Sequence, residues 1–277
     1  MSTAQTLILG AIAGFTIFLG LPLGRLRTRN PRVQGALTAL AAGVLIFLLI
    51  EVAEHAFTPV EEAAEEHEWG ELLGFGALFA GGVIAGLMSL VYYDRWMLRQ
   101  RGRAMLGPGA ASTAEFERTS RVAQLTAGQL LGLLIATGIG VHNFAEGLAI
   151  GQSAANDELS LALALVIGFG LHNATEGFGI VGPMAGDAER PSWRFLALLG
   201  LIGGGPTFLG TLLGQAWVNQ WVEVAILTVA AGSILYVIIE LFAVCRRFQQ
   251  KTLITWWVLG GLFLGFATEL VLEAAGA

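Results

Sequence analysis

Every lysine and arginine in this chain, 15 among 277 residues, falls in or beside a gap between long apolar runs, and only in every other gap. Arg25, Arg27, Arg29 and Arg32 mark the first gap, and Arg95, Arg99, Arg101, Arg103, Arg118 and Arg121 the third. Arg190 and Arg194 mark the fifth, and Arg246, Arg247 and Lys251 the seventh. The runs themselves cover about 7–24, 33–57, 71–97, 122–151, 159–183, 195–218, 221–245 and 253–273. Each is long enough to cross about 30 Å of hydrocarbon at 1.5 Å per residue. Basic residues confined to alternate connections are the mark of helices that thread a membrane, with the basic loops kept in the cytoplasm. The expectation is an all-α polytopic membrane protein of eight transmembrane helices, a single domain over 1–277 with both termini outside, in the cell (inner) membrane. Merging or splitting one run would scatter the arginines to both sides.

Composition agrees. Charged residues make up 13% of the chain, 55% of it is hydrophobic and its mean hydropathy is +0.69, whereas soluble domains carry about a quarter charged residues. "MSTAQT" has no positive region ahead of its apolar run, so that run reads as the first span and not as a signal peptide. The lone Cys245 excludes an internal disulfide and a multi-cysteine metal site. No nucleic-acid partner is expected. Segment 98–121 reads as a basic cytoplasmic loop. Segment 58–70 reads as an acidic outer loop in which five glutamates surround His67; it is either a solvated surface or a funnel that concentrates cations.

Polar residues interrupt the fourth and fifth spans in the same words. "VHNFAEGLAI" (141–150) returns as "LHNATEGFGI" (171–180), so His142, Asn143, Glu146 and Gly147 correspond to His172, Asn173, Glu176 and Gly177. The two spans run in opposite directions. "LAAGVLIFLLIE" on span 2 is echoed by "VAAGSILYVIIE" on span 7, again in opposite directions. The pattern predicts inverted repeats, spans 1–3 against 6–8 and span 4 against 5, an arrangement that places polar groups near the bilayer midplane of transporters.

Positions i and i+4 share a helix face, so His142 points with Glu146, and His172 with Glu176. The two asparagines sit about 100° around, toward a neighbouring helix. Facing antiparallel helices would bring imidazoles, carboxylates and amide oxygens to one point, a mixed N/O set suited to Zn²⁺ or Fe²⁺ rather than to Mg²⁺ or Ca²⁺. A carboxylate inside hydrocarbon is costly, and no Lys or Arg lies within these spans to neutralise it. Protons or a metal ion must supply the positive charge.

HNxxEG on span 4 and again on span 5, in an eight-span chain with both ends outside, resembles the ZIP (Zrt/Irt-like protein) metal transporter family, prokaryotic branch. The resemblance implies import of a divalent metal (Zn²⁺, Fe²⁺, Mn²⁺ or Cd²⁺) as substrate, no prosthetic group, and a commonly dimeric assembly in the lipid bilayer. It implies one metal position formed by His142, Glu146, His172 and Glu176, and an adjacent one to which Asn143 and Asn173 contribute. Three departures stand out. The family motif usually carries a proline where this chain has Ala145 and Thr175, so the helices should stay more regular. A usual glutamate before the span-6 proline is here Gly205, ahead of Pro206, which predicts one principal ion in place of two. On span 2 the chain offers Glu51, Glu54 and His55, where the family varies.

Glu51, Glu54 and His55 are candidates for the outer part of the pathway, with His67 farther out, and Glu240 for the inner part. Glu269 is expected to reach toward water at the outer boundary. A metal-dependent intramembrane enzyme and a non-transporting metal sensor are the rival classes. Against the enzyme, no HExxH and no general base beyond the ligands is evident.

Overall fold

A computed structural model describes residues 2–25, 30–105, 125–156, 159–187, 189–216 and 219–274, with the side chains of 98, 100–105, 159–161, 164, 172, 185, 186, 271 and 272 excepted. The described residues form eight long helices and no strand. α1 runs from Thr3–Phe15 through Ile17–Gly20 into a 3₁₀ turn at Leu21–Arg25. α2 is Pro31–Glu65, α3 Trp69–Met105, α4 Ala127–Ala155 and α5 Leu159–Val181. α6 is Trp193–Gly214, α7 Gln220–Arg247 and α8 Lys251–Ala274. Seven of them contain a window apolar and long enough to cross a membrane; α5 supplies a further 23 helical residues between α4 and α6.

Helix starts follow local chemistry. Ser2 with Gln5 and Thr126 with Gln129 form capping boxes, and Asn30, Ser192 and Asn219 accept a first-turn amide. Segment 58–70 is mostly not a loop. α2 continues through Pro59 to Glu65, because its Ala and Glu residues are strong helix formers, and only a tight turn at Glu66–His67 precedes α3. Of segment 98–121, residues 98–105 extend α3 and 106–121 lie outside the described residues.

The basic connections gather at one end of the bundle. Arg25 Nη1 donates to the Pro191 carbonyl at 2.5 Å, and its guanidinium lies 4.8 Å from the centre of the Trp193 ring. Thr126 donates to Asp187, and Phe248 packs against Gly35. Connections 1–2, 3–4, 5–6 and 7–8 therefore share a side. At the other end Phe75 of α3 stacks on Trp221 of α7.

Packing inside the bundle follows the expected repeats. Gly43 of the α2 "AAG" lets Gly261 of α8 approach its backbone, and Gly232 of the α7 "AAG" does the same for α3 at Gly86. Gly147 of the first motif crosses α6 at Gly210, and Gly177 of the second crosses α1 at Gly20. A Cβ at Gly147 would sit 2.1 Å from the Thr207 carbonyl oxygen, and one at Gly177 2.4 Å from that of Ile17. Glycine is what permits these backbones to touch. Of the seven spanning windows, that of α4 is the most enclosed, at 78% buried, whereas that of α8 is 11% buried and turns Trp256, Phe263 and Leu270 outward. Large apolar side chains on the periphery suit hydrocarbon as the surrounding solvent.

Candidate metal centre

α4 and α5 run as unbroken α-helix through Ala145 and Thr175, where the family pattern has proline. The i, i+4 register holds: His142 Nε2 lies 3.3 Å from Glu146 Oε1, and both residues are 4% exposed. Asn143, Asn173 and Glu176 are as deeply buried. His172 occupies its place in α5, but its side chain lies outside the described residues. Among the described side chains, no three His, Cys, Asp or Glu come close enough to hold an ion.

The asparagines do something the helical wheel does not reveal. Asn143 Nδ2 donates to Glu176 Oε2 at 3.1 Å and to the Gly203 carbonyl of α6 at 3.0 Å. Asn173 Nδ2 donates to the Ala13 carbonyl of α1, also at 3.0 Å. Ala13 and Gly203 each immediately precede the glycines, Gly14 and Gly204, at which α1 and α6 touch. A main-chain carbonyl only accepts, so each amide must turn its NH₂ edge to it. Both Oδ1 atoms are then left buried with no hydrogen-bond partner in the protein. A buried acceptor without a donor is costly unless a cation meets it.

A cavity of about 160 Å³ opens from this centre toward the end opposite the arginines. His142 and Glu146 form its inner part; Glu51 and His55 of α2, Glu223 of α7 and Glu269 of α8 line the rest, with Leu165 and Phe169 as apolar wall. His55 Nδ1 is hydrogen-bonded to the Glu51 carbonyl at 2.9 Å, which fixes that ring in place. Glu54 is exposed and does not line the cavity, and His67 stands in the α2–α3 turn with its Nδ1 2.8 Å from the Glu65 carbonyl. Glu269 does not simply reach toward water; it joins the cavity wall because α8 packs along α2. Glu223 carries no functional signal in the sequence, where an acid in the first turn of a helix reads as a partner of the helix dipole.

Near the arginine-bearing end, Glu240 of α7 lies close enough to Asp94 of α3 for the two carboxylates to repel, Arg247 partly offsets that repulsion, and Tyr236 hydrogen-bonds the same aspartate. Asp94 escapes a sequence reading because it lies beside Arg95 at a helix end, where a charged pair looks like a solvated face. Outside the spans, Asp187 sits over the start of α4. Partial burial raises its carboxyl above the usual range, while the Thr126 hydroxyl and the Gly128 amide pull it back down.

The carboxylates, imidazole and orphaned amide oxygens make a donor set for a borderline divalent cation. Residues 103–273, covering α4 to α8, match the family model described as ZIP zinc transporter. No curated protein matches the chain. The chain thus belongs to the ZIP zinc transporter family, a multi-pass membrane transporter of divalent metal and not an enzyme.

Proposed function

We propose that this protein imports a divalent transition metal, Zn²⁺ first, with Fe²⁺, Mn²⁺ and Cd²⁺ as alternatives, through a midplane site on α4 and α5. The ligands are His142, Glu146, His172 and Glu176, with Asn143 and Asn173 contributing their amide oxygens. The observation that carries this reading is the Asn143–Glu176 contact, which ties the polar groups of one motif to those of the other deep in an apolar bundle. The basic end faces the cytoplasm by the positive-inside rule, both termini face outward, and the membrane is the inner one.

In this reading the ion is drawn into the cavity by Glu51, His55, Glu223 and Glu269, with Glu54 and His67 in the approach. It loses water at the twin motif and leaves past Glu240. Protons compete with metal for Glu146 and Glu176, so protonation assists release. A homodimer belongs to the same reading, with poorly buried α3 and α8 as the available outer faces.

The site holds one principal ion. Gly205 stands where the family pattern has a carboxylate, and a Cβ built there meets no atom within 4 Å. Among the described residues the space beside that Cβ is open. Equilibrium dialysis of purified protein against Zn²⁺ tests this: one tightly held ion per chain is expected, and two of comparable affinity would contradict it. Gly205→Glu should raise the count.

A further inference from the structure

The turn between α7 and α8 is only three residues long, Phe248 to Gln250, and Gln249 adopts a left-handed φ of 54° to make it. Yet the two helices diverge. α7 packs on α2, α3 and α4, whereas α8 packs on α2 and α5. Between them lies a cavity of about 540 Å³.

Its walls are graded along the two helices. Ile239, Phe242 and Cys245 follow one face of α7, with Ile254 opposite on α8, and Arg246 and Lys251 stand at the mouth. Both basic residues are exposed, and neither has an ion pair among the described residues. Arg247, next along the chain, lies within electrostatic reach of Glu240. Among the described residues, no carboxylate lines the cavity. The two glutamines of the turn complete its rim and offer uncharged hydrogen-bond donors.

We infer that this cleft binds an anionic phospholipid, with its phosphate between Arg246 and Lys251 and an acyl chain against Ile239, Phe242 and Ile254. An apolar opening at this depth is filled by hydrocarbon, not water, and the paired cations at the boundary select the headgroup. A zwitterionic lipid brings a compensating positive charge; an anionic one does not. Basic pockets between helices at a membrane boundary act this way. The inference does not depend on the metal site.

The full-length protein, released from micelles containing equal amounts of phosphatidylglycerol and phosphatidylcholine of one chain length, is weighed by native mass spectrometry. Two basic residues near the surface, each giving about a fivefold effect, predict roughly 25-fold preferential retention of phosphatidylglycerol. Arg246→Gln with Lys251→Gln should remove the preference, Arg246→Lys should keep it, and the same-side control Arg99→Gln with Arg194→Gln should keep it too. Equal retention of both lipids by the unaltered protein overturns the inference, as does an equal loss in the control. Complete displacement by glycerol phosphate also overturns it, since a bare phosphate site would not need the apolar walls.

Discussion

Asn143 Nδ2 lies 3.1 Å from Glu176 Oε2, joining the two copies of one motif across antiparallel helices. The same nitrogen reaches the Gly203 carbonyl, so a single amide fixes α4, α5 and α6 relative to one another. Replacing Asn143 by Ala strips a donor from both acceptors in a dry site. A cost of about 1–3 kcal/mol in stability is expected, with metal affinity falling as Glu176 loses its orientation. Thermal unfolding and Zn²⁺ titration of Asn143→Ala check both; an unchanged Zn²⁺ affinity would remove Asn143 from the site.

The motif glycines should behave unlike Gly205. Gly147→Ala drives a methyl into the Thr207 carbonyl, and overpacking of this kind costs about 1–3 kcal/mol. Gly205→Ala meets nothing and should be tolerated. Melting temperatures of the two variants, measured side by side in one detergent, decide the matter.

Asp187 gives a pH-dependent handle outside the spans. Burial raises its folded-state pKa, so the neutral form is favoured in the fold. Its contribution is present in full below the unfolded pKa and is lost as pH rises through the raised, folded one. Asp187→Asn mimics the neutral group at every pH. The melting temperature of Asp187→Asn relative to the parent should therefore grow as pH rises through that window; a constant difference would mean that the carboxyl is not shifted.

Sidedness is checked by labelling. With Cys245 replaced by Ser, an impermeant maleimide added to intact cells should reach a single cysteine at Glu66 but not one at Arg194, both exposed positions. Glu66→Cys should label from outside. Labelling of Arg194→Cys from outside would invert the proposed topology.

Much of this was legible in the sequence because hydrocarbon is an unforgiving solvent. It fixes helix length and expels every Lys and Arg, so the eight spans can be read from the arginines. The i, i+4 pairing of His142 with Glu146 needed only helical geometry. The paired "AAG" stretches turned out to mark equivalent helix crossings, at Gly43 with Gly261 and Gly232 with Gly86. What stayed hidden depends on which helices become neighbours. Asn143 finds Gly203, Asn173 finds Ala13, and Glu223 joins Glu269 in one cavity. No local pattern encodes those meetings. Segment 58–70 misled because acidic composition suggested a loop, whereas Glu and Ala also extend a helix.

The central claim, passage of metal through the twin motif, is tested most directly by Zn²⁺ uptake into liposomes containing the purified protein and a trapped fluorescent chelator. The parent protein should fill the vesicles with Zn²⁺, and His142→Ala with Glu176→Ala should reduce uptake to the level of empty liposomes while remaining folded. No uptake by the parent, as a sensor or an intramembrane enzyme would give, or undiminished uptake by the double variant, would contradict the account.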